Sequence, residues 1–148
     1  MAEAVRVELG DWTTMRSRAV PVRFAVFVEE QRVPPEIELD GFDPLCVHAL
    51  ACDREGRVLG TGRLLPDGHI GRMAVLRPAR GTGVGSALLE ALMQAAQVRG
   101  DRQVALSAQT HAIPFYERFG FVAEGGEYDD AGIPHRMMRL VFQRTAPR

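Results

Sequence analysis

The segment RPARGTGVGSALLEALM, residues 77–93, places Gly81, Gly83 and Gly85 at alternate positions and then runs straight into an apolar helix. Each such glycine weakens a helix start by up to about 1 kcal/mol relative to alanine, so packing alone gives no reason for the run. An anion does. At a helix N-terminus the first N–H groups lack partners and the helix end carries partial positive charge, while a missing Cβ lets a phosphate approach the backbone. Arg80, at the head of the turn, adds a cation for a charge-assisted contact. Two nucleotide patterns fit poorly. The phosphate loop requires Gly-Lys-Ser/Thr, and this turn holds no lysine. The dinucleotide fingerprint wants G-x-G-x-x-G after the first strand of a parallel unit; here the spacing is G-x-G-x-G, late in the chain.

Working outward, the helix is predicted over about 83–98, with an apolar stripe of Val84, Leu88, Ala91, Leu92, Ala95 and Val98. Upstream, CVHALACD (46–53) and RVLGTGRLLP (57–66) read as strands joined through REG, and a second hairpin passes through PDG into HIGRMAVL (69–76). Nearer the N-terminus, VRVEL (5–9) reads as a strand and SRAVPVRFAVFVEEQ (17–31) as a helix with Ser17 as N-cap; VPPEIELDGFDP (33–44) reads as a loop or short helical turn. Downstream, QVALSAQ (103–109) is a strand, HAIPFYERFG (111–120) a short helix closed by Gly120, and FVAEGGEY (121–128) and HRMMRLVF (135–142) a final strand pair. The order is β-α-β-β-β-α-β-α-β-β. The unit spanning 69–109 should be parallel, because its crossover is a full helix, and the rest antiparallel. This is a mixed α/β sheet, mostly antiparallel, of about seven strands in one domain over residues 1–148.

Composition sets bounds on function. With 46% hydrophobic and 25% charged residues and a formal net charge of −1, the chain lacks the basic field of a nucleic-acid binder. No apolar run reaches the roughly 18 residues of a membrane helix, and the N-terminus has no signal-peptide pattern. Cys46 and Cys52 share one strand's alternation class, too far apart to bridge, and read as reduced core thiols in a cytoplasmic protein.

RGTGVGSALL resembles the Arg/Gln-x-x-Gly-x-Gly signature of the GNAT acetyltransferase superfamily, with Arg80, Gly83 and Gly85 in the signature places. AIPFYERFGF (112–121) is similar to its second signature, Ala-x-x-Phe-Tyr-x-x-x-Gly-Phe. VFVEEQRVP, ELDGFD, the His48 strand, AQTHA and GIPHRMM look most like the ElaA/YjcF-type subgroup, so the resemblance spans nearly the whole chain. It implies a GNAT-like fold with a splayed parallel strand pair and an N-acyltransferase that uses acetyl-CoA as co-substrate, with no metal. The pyrophosphate of coenzyme A would be held by backbone N–H groups of Arg80, Gly81, Gly83, Val84, Gly85 and Ser86. The pantetheine arm would lie in the splayed gap, against the backbone of Met73 and Val75. One of those N–H groups would also steady the oxyanion. Tyr116 stands where many members keep a general acid that protonates the departing thiolate; Ala112, Tyr116 and Phe119 also share a helical face, which offers the plainer alternative of a core aromatic. Gln109 replaces the asparagine that often touches the cofactor, keeping the amide with one methylene more.

The general base is open at this stage. The strand before the turn lacks the glutamate some members place there. Glu29 and Glu30 end the first helix; His48, His111 and His135 are the other candidates, with ordered water as a further one. Glu36, Glu38, Asp40 and Asp43 form an acidic loop that could draw a cationic amine, or simply be solvated. The expected acceptor is a small-molecule or peptide amine, reached by direct attack in a ternary complex. Neither cysteine has a partner base at motif spacing, so a covalent acyl intermediate is not expected. The rival from another class is a non-catalytic acyl-CoA-binding sensor or interaction module, and a nucleotide-binding βαβ domain stands third. Folds of this kind commonly form homodimers through exposed C-terminal strands.

Overall fold

The structure, a computed structural model, describes residues 5–143. Strands β1 (Arg6–Gly10), β2 (Val47–Cys52), β3 (Val58–Leu64) and β4 (Ile70–Val75) pair in that order in one antiparallel sheet. Strands β5 (Gln103–Gln109), β6 (Val122–Asp130) and β7 (Ile133–Val141) make a second antiparallel sheet with β7 in the middle. The two sheets meet through the expected parallel pair, β4 beside β5, but only at one end. His69 bridges Ala105, and the Ala105 amide donates to the Gly68 carbonyl at 3.1 Å. Beyond that point the strands part and leave a cleft.

Helix α3 (Val84–Arg99) makes the crossover between β4 and β5 and carries the centre of the core. Val84, Leu88, Leu89, Leu92 and Ala96 are buried, each large side chain contributing about 1.5–3 kcal/mol of transfer free energy. The expected stripe overreached at its end. Val98 lies two residues past Ala96, about 200° round the helix, and is 82% exposed. The close seat of α3 on β3 depends on Gly62, where a Cβ would stand 2.7 Å from Met73 Sδ and 2.9 Å from Leu92 Cδ1.

Helix α1 (Trp12–Arg23) begins earlier than the sequence suggested. Asp11, not Ser17, is the N-cap, its carboxylate accepting from the Thr14 amide at 2.9 Å. The helix passes through Pro21 and widens into π-helical turns over Phe24–Glu30. A short helix α2 (Pro35–Glu38) sits in the acidic loop, and α4 (Ile113–Glu117) follows β5. No helix among the described residues is long and apolar enough to cross a membrane.

Candidate active site

The cleft opened by the parting of β4 and β5 has a volume of about 710 Å³. Its walls include Met73 and Val75 from β4, Gln109 from β5, Tyr116 from α4, His111, and His135 from β7. Residues that the sequence singled out in both halves of the chain thus line one cleft. Arg80 also reaches the cleft, and Phe27 and Glu30 enter it from the π-helical turns. Val33, Ile37, Ser107, Asp130 and Ile133 line it too. Nothing in the local sequence singled these out, because only the sheet topology carries them to one place.

At the glycine turn two of the three glycines meet a backbone need. Gly81 and Gly83 take φ of +79° and +90°, the left-handed region that glycine enters without strain, and nothing lies within 4 Å of where a Cβ would be. Gly83 is the N-cap of α3, with no side-chain cap and no acid in the first turn. The helical ladder begins with the Ala87 amide donating to the Gly83 carbonyl at 3.0 Å, so the N–H groups of Val84, Gly85 and Ser86 lie ahead of it. This open cradle of amides fits a phosphate group. Arg80 plays a different part from the one expected. Its amide donates to the Arg77 carbonyl, and its guanidinium forks onto Glu30 through two contacts of 2.6 Å while also donating to the Val75 carbonyl. The side chain ties the turn to the π-helical segment rather than standing free.

That fork also bears on the base. Arg80, with Arg77 nearby, holds the Glu30 carboxyl below the usual carboxylate range, so it accepts protons poorly. Glu29 is exposed and lines a separate small cavity with Leu76, Arg77 and Pro78, not the cleft. His48 is 1% exposed, stacks on Trp12 and donates from Nε2 to the Asp43 carbonyl at 2.9 Å; burial pushes its pKa down. It belongs to the core, away from the cleft.

His135 is different. Its Nδ1 lies 2.7 Å from the Ile133 carbonyl. A carbonyl only accepts, so Nδ1 carries the proton and Nε2 is left as the nitrogen able to take one up. The ring is further fixed by stacking against Tyr128, which shares a hydrogen bond with Ser107. Tyr116 is partly buried on the same cleft wall, and desolvation pushes its pKa up to about 12, so it stays protonated at neutral pH. Gln109 donates to the Gln31 side chain at 3.0 Å. Burial also pushes both cysteine thiols up; both are free, and neither lines the cleft.

The acidic loop is not a lure for cations. Glu38 pairs with Arg23 and, at 2.9 Å, with Arg72; Asp43 pairs with Arg23 and Arg63, each at 2.8 Å; Asp40 pairs with Arg63 at 2.6 Å and Arg72 at 3.2 Å. Three carboxylates thus neutralise three guanidiniums, two of which are at most 4% exposed. Although burial works the other way, Arg63 and Arg72 hold the Asp40 carboxyl down to about 2. Only Glu36 of the four stays solvent-facing without a place in this network. A signal existed in the sequence: Arg23, Arg63 and Arg72 sit inside apolar elements and need acids from somewhere.

Strand β4 contains a bulge at the centre of the cleft. Gly60 and Thr61 face Val75 and Ala74, but Arg63 and Leu64 face Gly71 and Ile70, a register one residue shorter. Gly62 therefore opposes both Arg72 and Met73. Arg72 has φ +48°, the left-handed position that one type of bulge, the G1 bulge, gives to glycine. For a residue with a Cβ this conformation costs on the order of 1–2 kcal/mol. Besides its ion pairs, the Arg72 guanidinium donates to the Glu38 carbonyl at 3.1 Å and the Ile37 carbonyl at 3.3 Å.

Comparison with known proteins bears on the family and the fold. The acetyltransferase (GNAT) domain family matches residues 26–142. The uncharacterized N-acetyltransferase YjcF of Bacillus subtilis is 41% identical over 79% of this chain and 86% of its own length. Among solved structures, an acyl-CoA N-acyltransferase from Pseudomonas aeruginosa has a TM-score of 0.82 at 35% identity, covering 92% of this chain and 99% of that one. Escherichia coli ElaA has a TM-score of 0.80 at 28% identity, with the same two coverages of 92% and 99%.

Proposed function

Since the chain belongs to the acetyltransferase (GNAT) domain family, we propose that it moves an acetyl group from acetyl-CoA to a primary amine by direct attack in a ternary complex. The observation that carries this reading is that Tyr116 and His135, one held protonated and the other with a free Nε2, share the cleft that the amide cradle of α3 adjoins. Acetyl-CoA supplies an activated acyl group. The chain's own residues do the rest. The N–H groups of Val84, Gly85 and Ser86 bind the pyrophosphate, helped by the positive end of α3. His135 Nε2 takes the proton that the amine loses as its nitrogen bonds to the acyl carbon. Tyr116 gives its proton to the sulfur as the carbon–sulfur bond breaks, and solvent returns the two groups to their starting states. Backbone N–H groups of β4 face the charge that develops on the acyl oxygen. Two free, buried thiols suit a reducing cytoplasm, where this activity would operate.

Thermal unfolding with acetyl-CoA, CoA, NAD and ATP tests the reading. At about 100 times Kd a ligand adds roughly 2.7 kcal/mol, a clear rise in Tm. A rise with the CoA compounds alone, followed by acetylation in a screen of primary amines, is expected. A rise with NAD or ATP and none with CoA sinks the assignment. Tight acetyl-CoA binding without transfer to any amine would leave a sensor rather than an enzyme.

A further inference from the structure

Backbone direction along β4 changes at Arg72. The His69 carbonyl accepts from Leu65 of the β3 side at 2.8 Å, and the Leu76 amide donates to Leu59 on the same side at 2.9 Å. Residues 69 and 76 are seven apart, an odd number, whereas strand backbone groups face the same neighbour only at even separations. The bulge absorbs the odd residue. Without it, the parity of His69 and Gly71 would run on through Met73 and Val75, turning their N–H groups onto β3. With it, the parity of Leu76 runs back through Ala74, and the amides of Met73 and Val75 face the gap left by β5.

Arg72 itself has no intrinsic reason to adopt φ +48°. Its guanidinium, however, is gripped by the Glu38 carboxylate, the Asp40 carboxylate and the carbonyls of Ile37 and Glu38, all from the strap over the cleft. We propose that Arg72 is a positioning residue: clamped by the 37–40 strap, it holds the β4 bulge in register and thereby turns the Met73 and Val75 amides toward the acyl group. This rests on the acyl-transfer reading above. The strap's acids then act on the reaction through Arg72 rather than by attracting substrate.

The test needs no knowledge of the acceptor. The infrared carbonyl stretch of [1-13C]acetyl-CoA is recorded free and bound, because a backbone hydrogen bond to the thioester oxygen lowers it. The wild-type protein should lower the stretch. Arg72→Ala should lose that lowering while the protein still binds CoA through the untouched amide cradle of α3, its affinity reduced by no more than the contacts of the pantetheine arm to Met73 and Val75. Arg72→Gly should retain it, because glycine takes the left-handed bulge position without a clamp. If the alanine variant binds CoA normally and keeps the wild-type stretch, the inference is overturned. Loss in both variants overturns it too, since the side chain would then act other than through backbone conformation. Should Arg72→Ala fail to fold, Asp40→Asn, which removes one arm of the clamp at the rim, takes its place: a raised stretch supports the clamp and an unchanged one refutes it. Failure of the wild-type protein to bind acetyl-CoA would strike the functional reading instead, a separate result.

Discussion

Replacing Glu38 by glutamine removes one charge from the middle of a closed ion network while almost preserving shape. Glu38 is 2% exposed and lies against the guanidiniums of Arg23, 1% exposed, and Arg72. In the variant, Arg23, Arg63 and Arg72 face only Asp40 and Asp43, and Asp43 already divides itself between Arg23 and Arg63. Leaving a buried cation short of its partner costs about 3–5 kcal/mol. For a domain of this size each kcal/mol lowers Tm by about 2–4 °C, so Glu38→Gln should melt roughly 6–20 °C below the wild type. Glu36→Gln, two positions away on the solvent side, should stay within about 0.5 kcal/mol. Thermal and urea unfolding followed by circular dichroism read both. A third variant sharpens the measurement: Arg23→Met added to Glu38→Gln removes the uncompensated cation, so the pair should lose less than the sum of the singles, by about 1–3 kcal/mol. Strict additivity, or a Glu38→Gln protein as stable as Glu36→Gln, would refute the view that these acids serve the buried arginines.

Acid should unfold the protein through the same network: the folded Asp40 pKa is depressed from 3.8 to about 2, so its stabilisation, reduced by solvent screening at this partly exposed site, is complete above about pH 5 and lost as pH falls through 2, with Asp43 shifted the same way. Denaturant titrations at pH 5 and pH 3 check this, and equal midpoints at the two would contradict it. Tyr116→Phe should cut turnover about 100-fold or more with Kd for CoA preserved, as stopped-assay kinetics and calorimetry would show. Because burial raises the Tyr116 pKa from 10 to about 12, its contribution to stability holds below pH 10 and fades as pH rises through 12. Gly83→Ala meets no atom within 4 Å of its new Cβ yet must hold φ at +90°, so it should lose about 1–2 kcal/mol from backbone strain alone and weaken CoA binding with it. Parallel unfolding and binding titrations separate the two losses.

The sequence by itself determined the elements and the glycine turn that opens α3. Glycine periodicity, the apolar stripe of α3 and the turn signals at residues 54–56 and 66–68 are local codes, each legible within one or two turns of chain, and the seven strands follow them. Asp11 carries no clear sequence signal as the N-cap, because Trp12 through Ser17 has little amphipathic pattern to mark a helix start. Tertiary structure alone decided which charges are free. Glu30 and Arg80 are 50 positions apart, Arg23 and Asp43 twenty, and no spacing rule joins them; only the packing of α1 over β3 and β4 makes the pairs, which remove Glu30 from the list of bases and Asp43 from the charges open to a cationic amine. It also decided the bulge at Arg72, since a left-handed arginine in a strand has no sequence signature of its own. That conformation exists because partners distant in the chain hold it, and on it depends which way the amides of β4 face.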